Sequence, residues 1–386
     1  MATPQPPRRP LPVAAPPGVA LADLASGLVW PRLLQAPLLA ARFTPVLMGL
    51  LAVGAVRLLD LLGGERSVVA STLDAIAADL GRLVRSASQL DGGGIHASAS
   101  DILLRLPLSE LAGRPWLAGF VLVLSLAIAA AFGGAIARQA ALHCGGHRVL
   151  SPLGILLEAV GRLHSSFIAF LLPTLILAAA LLALACLGWA LLSIPYLQVA
   201  GAVVMGLAVP LAFVAVFLGF AALLGTALMV PCVAAEGTDA LDAIQRVLAY
   251  ARGAFVRLAF YAVLSVAVGL LASWLVFAIG ASAAAIFDDA SRAFLGEQTA
   301  AALESPSSDH PWSILATRAI LEFWSGVPVL LAQAYAFSLF FTASTLVYLG
   351  MRRVVDGQDM GEIWVPVPGV PGREPDPAPA KDDESL

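Results

Sequence analysis

Residues 165–235 read SSFIAFLLPTLILAAALLALACLGWALLSIPYLQVAGAVVMGLAVPLAFVAVFLGFAALLGTALMVPCVAA, without a single Asp, Glu, Lys or Arg. A helix crossing a bilayer needs about 20 consecutive apolar residues. This stretch is long enough to cross, turn at Pro195-Tyr196-Leu197-Gln198 and cross back. A water-soluble helix of this length would break its apolar run with charges every turn or two to keep one face wet. Two membrane spans are therefore expected here, about Phe167–Ile194 and Gly201–Val230.

Working outward, the same reading finds four more spans, at about Thr44–Gly63, Trp116–Ala137, Leu258–Gly280 and Phe323–Gly350. The expected fold is all-α, a polytopic bundle of about six transmembrane helices accompanied by amphipathic interfacial helices. The composition agrees, at 59% apolar and 12% charged, against about 25% charged in soluble domains. Residues 1–18 form a Pro-rich leader expected to be disordered. They contain no apolar run before a small-residue cleavage site, so a cleaved signal peptide is not expected. Residues 19–365 make the membrane domain, and residues 366–386 an acidic, Pro-rich tail expected to be disordered.

Between the spans the pattern becomes amphipathic. Val19–Arg42 reads as short helices on the membrane surface, interrupted by Pro31 and Pro37. In the long loop 64–115, Leu73, Ile76, Leu80, Leu83 and Val84 recur at helical spacing. There Gly92, Gly93 and Gly94 suggest a flexible turn and Asp101 the start of another short helix. Two further amphipathic helices give a weak internal repeat of span, helix, span. One carries Leu153, Leu156, Leu157, Val160 and Leu163, with Glu158 four residues before Arg162. The other, expected over Thr238–Gly253, carries Leu241, Ile244, Val247 and Leu248, with Asp242 four before Arg246. Each acid precedes its arginine in the order that favours a pair along the helix. Thr238 or Gly237 is the expected N-cap.

Arginines are denser on the side that holds both termini, among them Arg8, Arg9, Arg32, Arg42, Arg138, Arg162, Arg246, Arg252, Arg257, Arg352 and Arg353. The positive-inside rule then places both termini in the cytoplasm. The net charge is −4 and basic residues are scattered, so nucleic-acid binding is excluded as a class. The bilayer is the expected partner, with other membrane proteins as further candidates.

Arg57 and Asp60 form the only charged pair inside an expected span. Their spacing puts them on one helical face, where each offsets the other's desolvation. They could mark a solute or proton path. Their place near the outer end of the helix favours snorkelling to the interface instead. His143-Cys144-Gly145-Gly146-His147 brings together metal-ligand types, but a structural zinc site takes four ligands and His164 is far along the next helix, so a polar turn is the preferred reading. Cys144, Cys186 and Cys232 read as free thiols, since none lies in a polar outer loop. Pro173, Pro210 and Pro328 are ordinary in membrane helices, and Ser265, Gly269 and Ser273 make a small-residue packing face. No HExxH, GxSxG or P-loop pattern is found, and neither a cofactor, a metal nor a catalytic residue is expected.

The stretch Pro231-Cys232-Val233-Ala234-Ala235-Glu236-Gly237-Thr238-Asp239-Ala240-Leu241-Asp242-Ala243-Ile244-Gln245-Arg246, followed by Arg252-Gly253, resembles a pattern in bacterial six-helix integral membrane proteins. The group includes the membrane domain attached to some glycerophosphodiester phosphodiesterases. Tyr348–Gly357 is similar to the close of their last helix. The resemblance implies a six-helix fold in the bacterial inner (plasma) membrane with cytoplasmic interfacial helices. It implies no activity, because the catalytic domain of those enzymes is a separate soluble barrel with no counterpart here. Glu236, Arg246 and Arg252 are the candidate interaction surface. The expected function is that of a non-enzymatic accessory or scaffold protein; a transporter or permease for a small or lipidic solute is the alternative.

Overall fold

The computed structural model describes residues 30–61, 78–79, 81–82, 85–86, 89, 91–101, 115–147, 149–193, 198–206, 208–293 and 311–365. The leader, the tail, the turn at 195–197 and most of the amphipathic pattern at 73–84 lie outside them. Among the described residues every regular element is a helix: α1 Trp30–Leu33, α2 Ala36–Ala40, α3 Phe43–Leu61, α4 Gly92–Ser100, α5 Pro115–Cys144, α6 Pro152–Gly161, α7 Leu163–Leu192, α8 Gln198–Met205, α9 Ala208–Glu236, α10 Ala240–Gly253, α11 Phe255–Ala293 and α12 Trp312–Val355.

Four of these helices, α5, α7, α11 and α12, contain stretches long and apolar enough to cross a membrane. A fifth candidate is the bent pair formed by α1–α2 and α3, which meet at 68°. In α7 and α11 large apolar side chains face outward, with Leu182 64%, Leu271 69% and Trp274 67% exposed. In water that surface would be an aggregation site, whereas against acyl chains it is the ordinary exterior of a membrane helix.

Helix α12 is the centre of the assembly and packs on α3, α5, α9 and α11. Contact is close where small residues remove the intervening side chain. A Cβ on Gly280 of α11 would lie 2.9 Å from the Pro328 carbonyl oxygen of α12, and one on Gly49 of α3 would collide with the Ala334 carbonyl. Ser265, Gly269 and Ser273 of α11 are half-buried, and their neighbours Ala272 and Val276 pack against the core.

The core gathers at one end of the bundle, here called the closed end, where α3, α7 and α11 start and α5, α9 and α12 finish. Its buried residues include Leu33, Ile136, Met229, Tyr250, Leu258 and the α12 run Leu346–Leu349. The short helices α1 and α2 belong to this core. Leu33, Ala36 and Ala40 are almost fully buried, the Ser338 hydroxyl donates to the Ala40 carbonyl at 2.9 Å, and that of Tyr335 donates to the Pro37 carbonyl at 3.4 Å. Leu33 and Leu39 thus pack on protein, while Leu34 and Leu38 stay 47% and 76% exposed, an outward apolar side of the kind the sequence suggests for a membrane surface.

Three further elements differ from expectation. Gly92, Gly93 and Gly94 open helix α4, which ends at Ser100 and is capped by Asp91 accepting from the Gly93 N–H at 3.1 Å. The capping carboxylate satisfies a donor that the glycine run alone would leave free. The fourth expected span is divided: α8 takes its first residues, and after a turn at Gly206 α9 carries the rest. Finally, α11 and α12 have 39 and 44 residues. At 1.5 Å per residue they are about 58 and 66 Å long, well beyond a hydrocarbon core of about 30 Å. They continue as helices beyond the expected span ends at Gly280 and Phe323, into the polar residues around Asp288 and Trp312.

Candidate interaction face at the closed end

Each amphipathic helix is tied to the spans by an ion pair, and the two ties have opposite polarity. In α6, Glu158 meets Arg138 of α5 at 2.9 Å. In α10, Arg246 donates to the Glu236 carboxylate at the end of α9. The expected pairs along each helix, Glu158 with Arg162 and Asp242 with Arg246, give way to these ties across helices. The physical reason is burial. Arg138 and Glu236 have side chains only 3% and 8% exposed, so each would be an uncompensated charge without its partner, whereas a pair along an exposed helix is worth a few tenths of a kcal/mol.

The two helices match position by position. Both open on a side-chain cap: Ser151 accepts from the Gly154 N–H at 3.2 Å, and Asp239 from the Asp242 N–H at 3.0 Å. Asp239 therefore holds the capping position expected of Thr238 or Gly237, and α10 begins at Ala240. One turn in, Ile155 and Ala243 are buried, and a turn later Ala159 and Val247. Leu153 and Leu241 point outward, as do Val160 and Leu248. The stripe expected on α10 is thus rotated. Ala240, Ala243, Val247 and Tyr250 face the core, while Leu241, Leu248 and Arg252 share the exposed side and Ile244 is half-buried between them.

Glu236 is a junction of three elements. One carboxylate oxygen accepts from the Tyr348 hydroxyl of α12 and lies 3.8 Å from an Arg352 nitrogen; the other accepts from Arg246 of α10. Gly237 follows with φ +69°, the left-handed conformation that lets the chain turn sharply from α9 toward α10. Burial pulls the Arg246 guanidinium down, but Glu236 and the neighbouring Tyr348, Cys232 and Tyr250 outweigh it, so its pKa ends above the ordinary arginine value. Of the candidate surface residues, Glu236 is enclosed, Arg246 is part-exposed and Arg252 is exposed.

After α12 the chain turns at Gly357, φ +69°, and returns across the closed end as a strap, residues 356–365. The Asp356 carboxylate accepts from the Tyr250 hydroxyl of α10. That bond and burial, which dominates, raise the Tyr250 phenol pKa and keep it neutral. Arg352 donates to the carbonyls of Asp359, at 2.8 Å, and Glu362. Met360 is 1% exposed and its sulfur meets Arg32 at 3.1 Å. The Trp364 N–H donates to the Ala235 carbonyl at 3.0 Å, and its indole lies under Arg162, whose guanidinium carbon is 4.0 Å from the ring centroid.

The remaining candidates are placed elsewhere. Arg57 donates to the Gln333 side-chain oxygen of α12 at 3.2 Å; the side chain of Asp60 lies outside the described residues. The His143 ring contacts Arg42 at 2.8 Å and that of His147 the Gly361 carbonyl at 3.1 Å. Among the described residues no three potential metal ligands come together, and all three cysteines are free. Sequence reasoning missed Arg138, Tyr250, Tyr348, Arg352 and Trp364 as members of one face. A signal existed, since the chain has only five tyrosines and 12% charged residues, and in so apolar a chain a buried polar group needs a partner.

No family model matches the chain, and neither does any curated protein or solved structure.

Proposed function

We propose that the chain is a multi-pass membrane protein whose six helices α3, α5, α7, α9, α11 and α12 cross the bilayer, and that it serves as a non-enzymatic accessory or scaffold protein through its cytoplasmic face. The observation that carries this reading is the Glu236 junction. One carboxylate fastens the amphipathic helix α10 to two spans at once, so the polar groups of this face hold architecture. What the architecture holds outward is a defined surface, with Leu241 58% and Leu248 39% exposed and Arg252 beside them. Such a surface suits the headgroup boundary, its leucines in the acyl region and its arginine at the phosphates, and leaves the polar flank to a neighbouring membrane protein.

The resemblance of Pro231–Arg246 to bacterial six-helix proteins supports the same reading and the plasma membrane as its location. A photo-crosslinking residue placed at Arg252 or Ala249 in native membranes should give one discrete protein adduct, lost when Asp242 and Gln245 on the polar flank are both changed to Arg. Adducts to lipid alone would remove the scaffold role. Solute flux in proteoliposomes abolished by Arg57→Leu would replace it with the permease reading.

A further inference from the structure

The ends of α5 and α9 and the junction of α6 with α7 enclose a cleft lined by Gly134, Arg138, Glu158, Arg162, Ser166 and Val233. Two arginines line it, and their charges stand differently. Arg138 is answered, by Glu158 at 2.9 Å and by the Ala234 carbonyl, to which it donates at 3.2 Å. Arg162 holds its guanidinium carbon over the Trp364 ring, 4.0 Å from the centroid, and no hydrogen bond or ion pair to its N–H groups is found among the described residues. Stacking fixes the plane of a guanidinium and leaves its edge, the part that pairs with planar or tetrahedral oxyanions, pointing away from the ring. The cleft thus carries one net positive charge, centred on a pre-oriented donor. Burial lowers the Arg162 pKa, only partly offset by Glu158, which is the mark of a cation short of an anion.

We propose that this cleft binds the phosphate group of an anionic phospholipid, with the edge of Arg162 as its principal donor. The cleft is half open, and its inner volume is about 10 Å3, room for one water-sized atom. A phosphate therefore seats one oxygen inside and keeps its ester links at the mouth, as a lipid diester requires. The helix that supplies Glu158 turns Leu153, Leu157 and Val160 outward, 67%, 63% and 49% exposed, an apolar flank for the attached acyl chains. Basic pockets between helices at the cytoplasmic boundary are suited to anionic headgroups. The assignment to lipid, in preference to a free phosphate, rests on the membrane reading given above.

The test uses the full chain in nanodiscs of phosphatidylcholine and phosphatidylglycerol in equal amounts, followed by gentle extraction and native mass spectrometry of the retained lipid. Wild type should retain phosphatidylglycerol preferentially, Arg162→Gln should lower that preference about tenfold, the loss of one charge-assisted contact, and Arg318→Gln at the far end should leave it unchanged. Arg162→Lys, which keeps the charge without the planar edge, should fall between. Wild type that enters the disc but shows no preference overturns the lipid site, whatever the variants do. Delipidated protein that takes up inorganic phosphate as well as phosphatidylglycerol overturns the assignment to lipid. Failure to enter the disc at all overturns the membrane reading, and this proposal with it.

Discussion

Glu236 accepts two hydrogen bonds, from Arg246 and the Tyr348 hydroxyl, and has a second cation, Arg352, beside it, in a place where its side chain is 8% exposed. Changing it to Ala strands Arg352, 3% exposed, without its counter-ion, and removing one member of a buried pair costs about 3–5 kcal/mol. Arg246 is 42% exposed, and its loss leaves Glu236 the Tyr348 hydroxyl and Arg352, so Arg246→Ala should cost less, about 1 kcal/mol. Denaturant unfolding in detergent should therefore rank Glu236→Ala well below Arg246→Ala, and equal losses would show that the junction is solvated. The neighbouring glycine is as exacting. A Cβ on Gly237 would sit 2.5 Å from an Arg162 nitrogen and 2.9 Å from Trp364 Cδ2, on a backbone at φ +69° that costs an L-residue about 1–2 kcal/mol. Gly237→Ala should destabilise the protein and also quench or shift Trp364 fluorescence in a background lacking the other tryptophans; an unchanged spectrum would mean that the stack is not seated there. Part of this site is legible in the chain. Glu236, Gly237 and Arg246 stand together in a recognisable run, but Tyr348 is 112 positions from Glu236, and no local pattern encodes a bond closed only when α12 packs against α9.

At the scale of elements, periodicity finds α6 and α10 but misjudges which arc is buried. Leu241 and Leu248 outrank Ala240 and Ala243 in hydrophobicity, so a stripe drawn from hydrophobicity centres on the leucines. The structure buries the small residues, because α10 lies close against the span ends where only Ala, Val and one tyrosine fit, and it leaves the leucines outward. In a membrane protein outward is also apolar, so a moment that locates the core in water loses its sign at a bilayer. The consequence is measurable. Val247→Asp places a charge at a position 1% exposed and should unfold the closed end. Leu241→Ser with Leu248→Ser should leave the thermal transition of the detergent-solubilised protein nearly unchanged while shifting spin labels at Gln245 toward water. Should the double serine variant unfold as readily as the aspartate variant, the assignment of faces on α10 is wrong.

At the scale of the molecule, the closed end fixes the relative direction of the helices, and the charge pattern predicts the absolute one. Arg32, Arg42, Arg138, Arg162, Arg246, Arg252, Arg257, Arg352 and Arg353 all belong to elements at the closed end, while the other side has fewer basic residues, Arg66, Arg82, Arg85, Arg105 and Arg114 in the long 64–115 segment, and Arg57, Arg292 and Arg318. Basic residues near span ends are retained in the cytoplasm, so the closed end should face inward. The bias was readable from the chain because it needs only the spans and the loops between them. That Arg32, Arg42, Arg138, Arg246 and Arg352 also build one bonded face was not readable, since it depends in part on the strap folding back after Gly357. A labelling experiment separates the two orientations. In a background with Cys144, Cys186 and Cys232 replaced by Ala, single cysteines are placed at Ser313, on the exposed first turn of α12, and at Gln358, exposed on the strap. An impermeant thiol reagent added to intact cells should modify Ser313→Cys and spare Gln358→Cys until the cells are opened. Both sites are exposed in the folded chain, so protection of one can come only from the membrane between them. The reverse pattern would turn the molecule over, carrying α10, the Glu236 junction and the Arg162 cleft to the outer face, where no cytoplasmic partner could reach them.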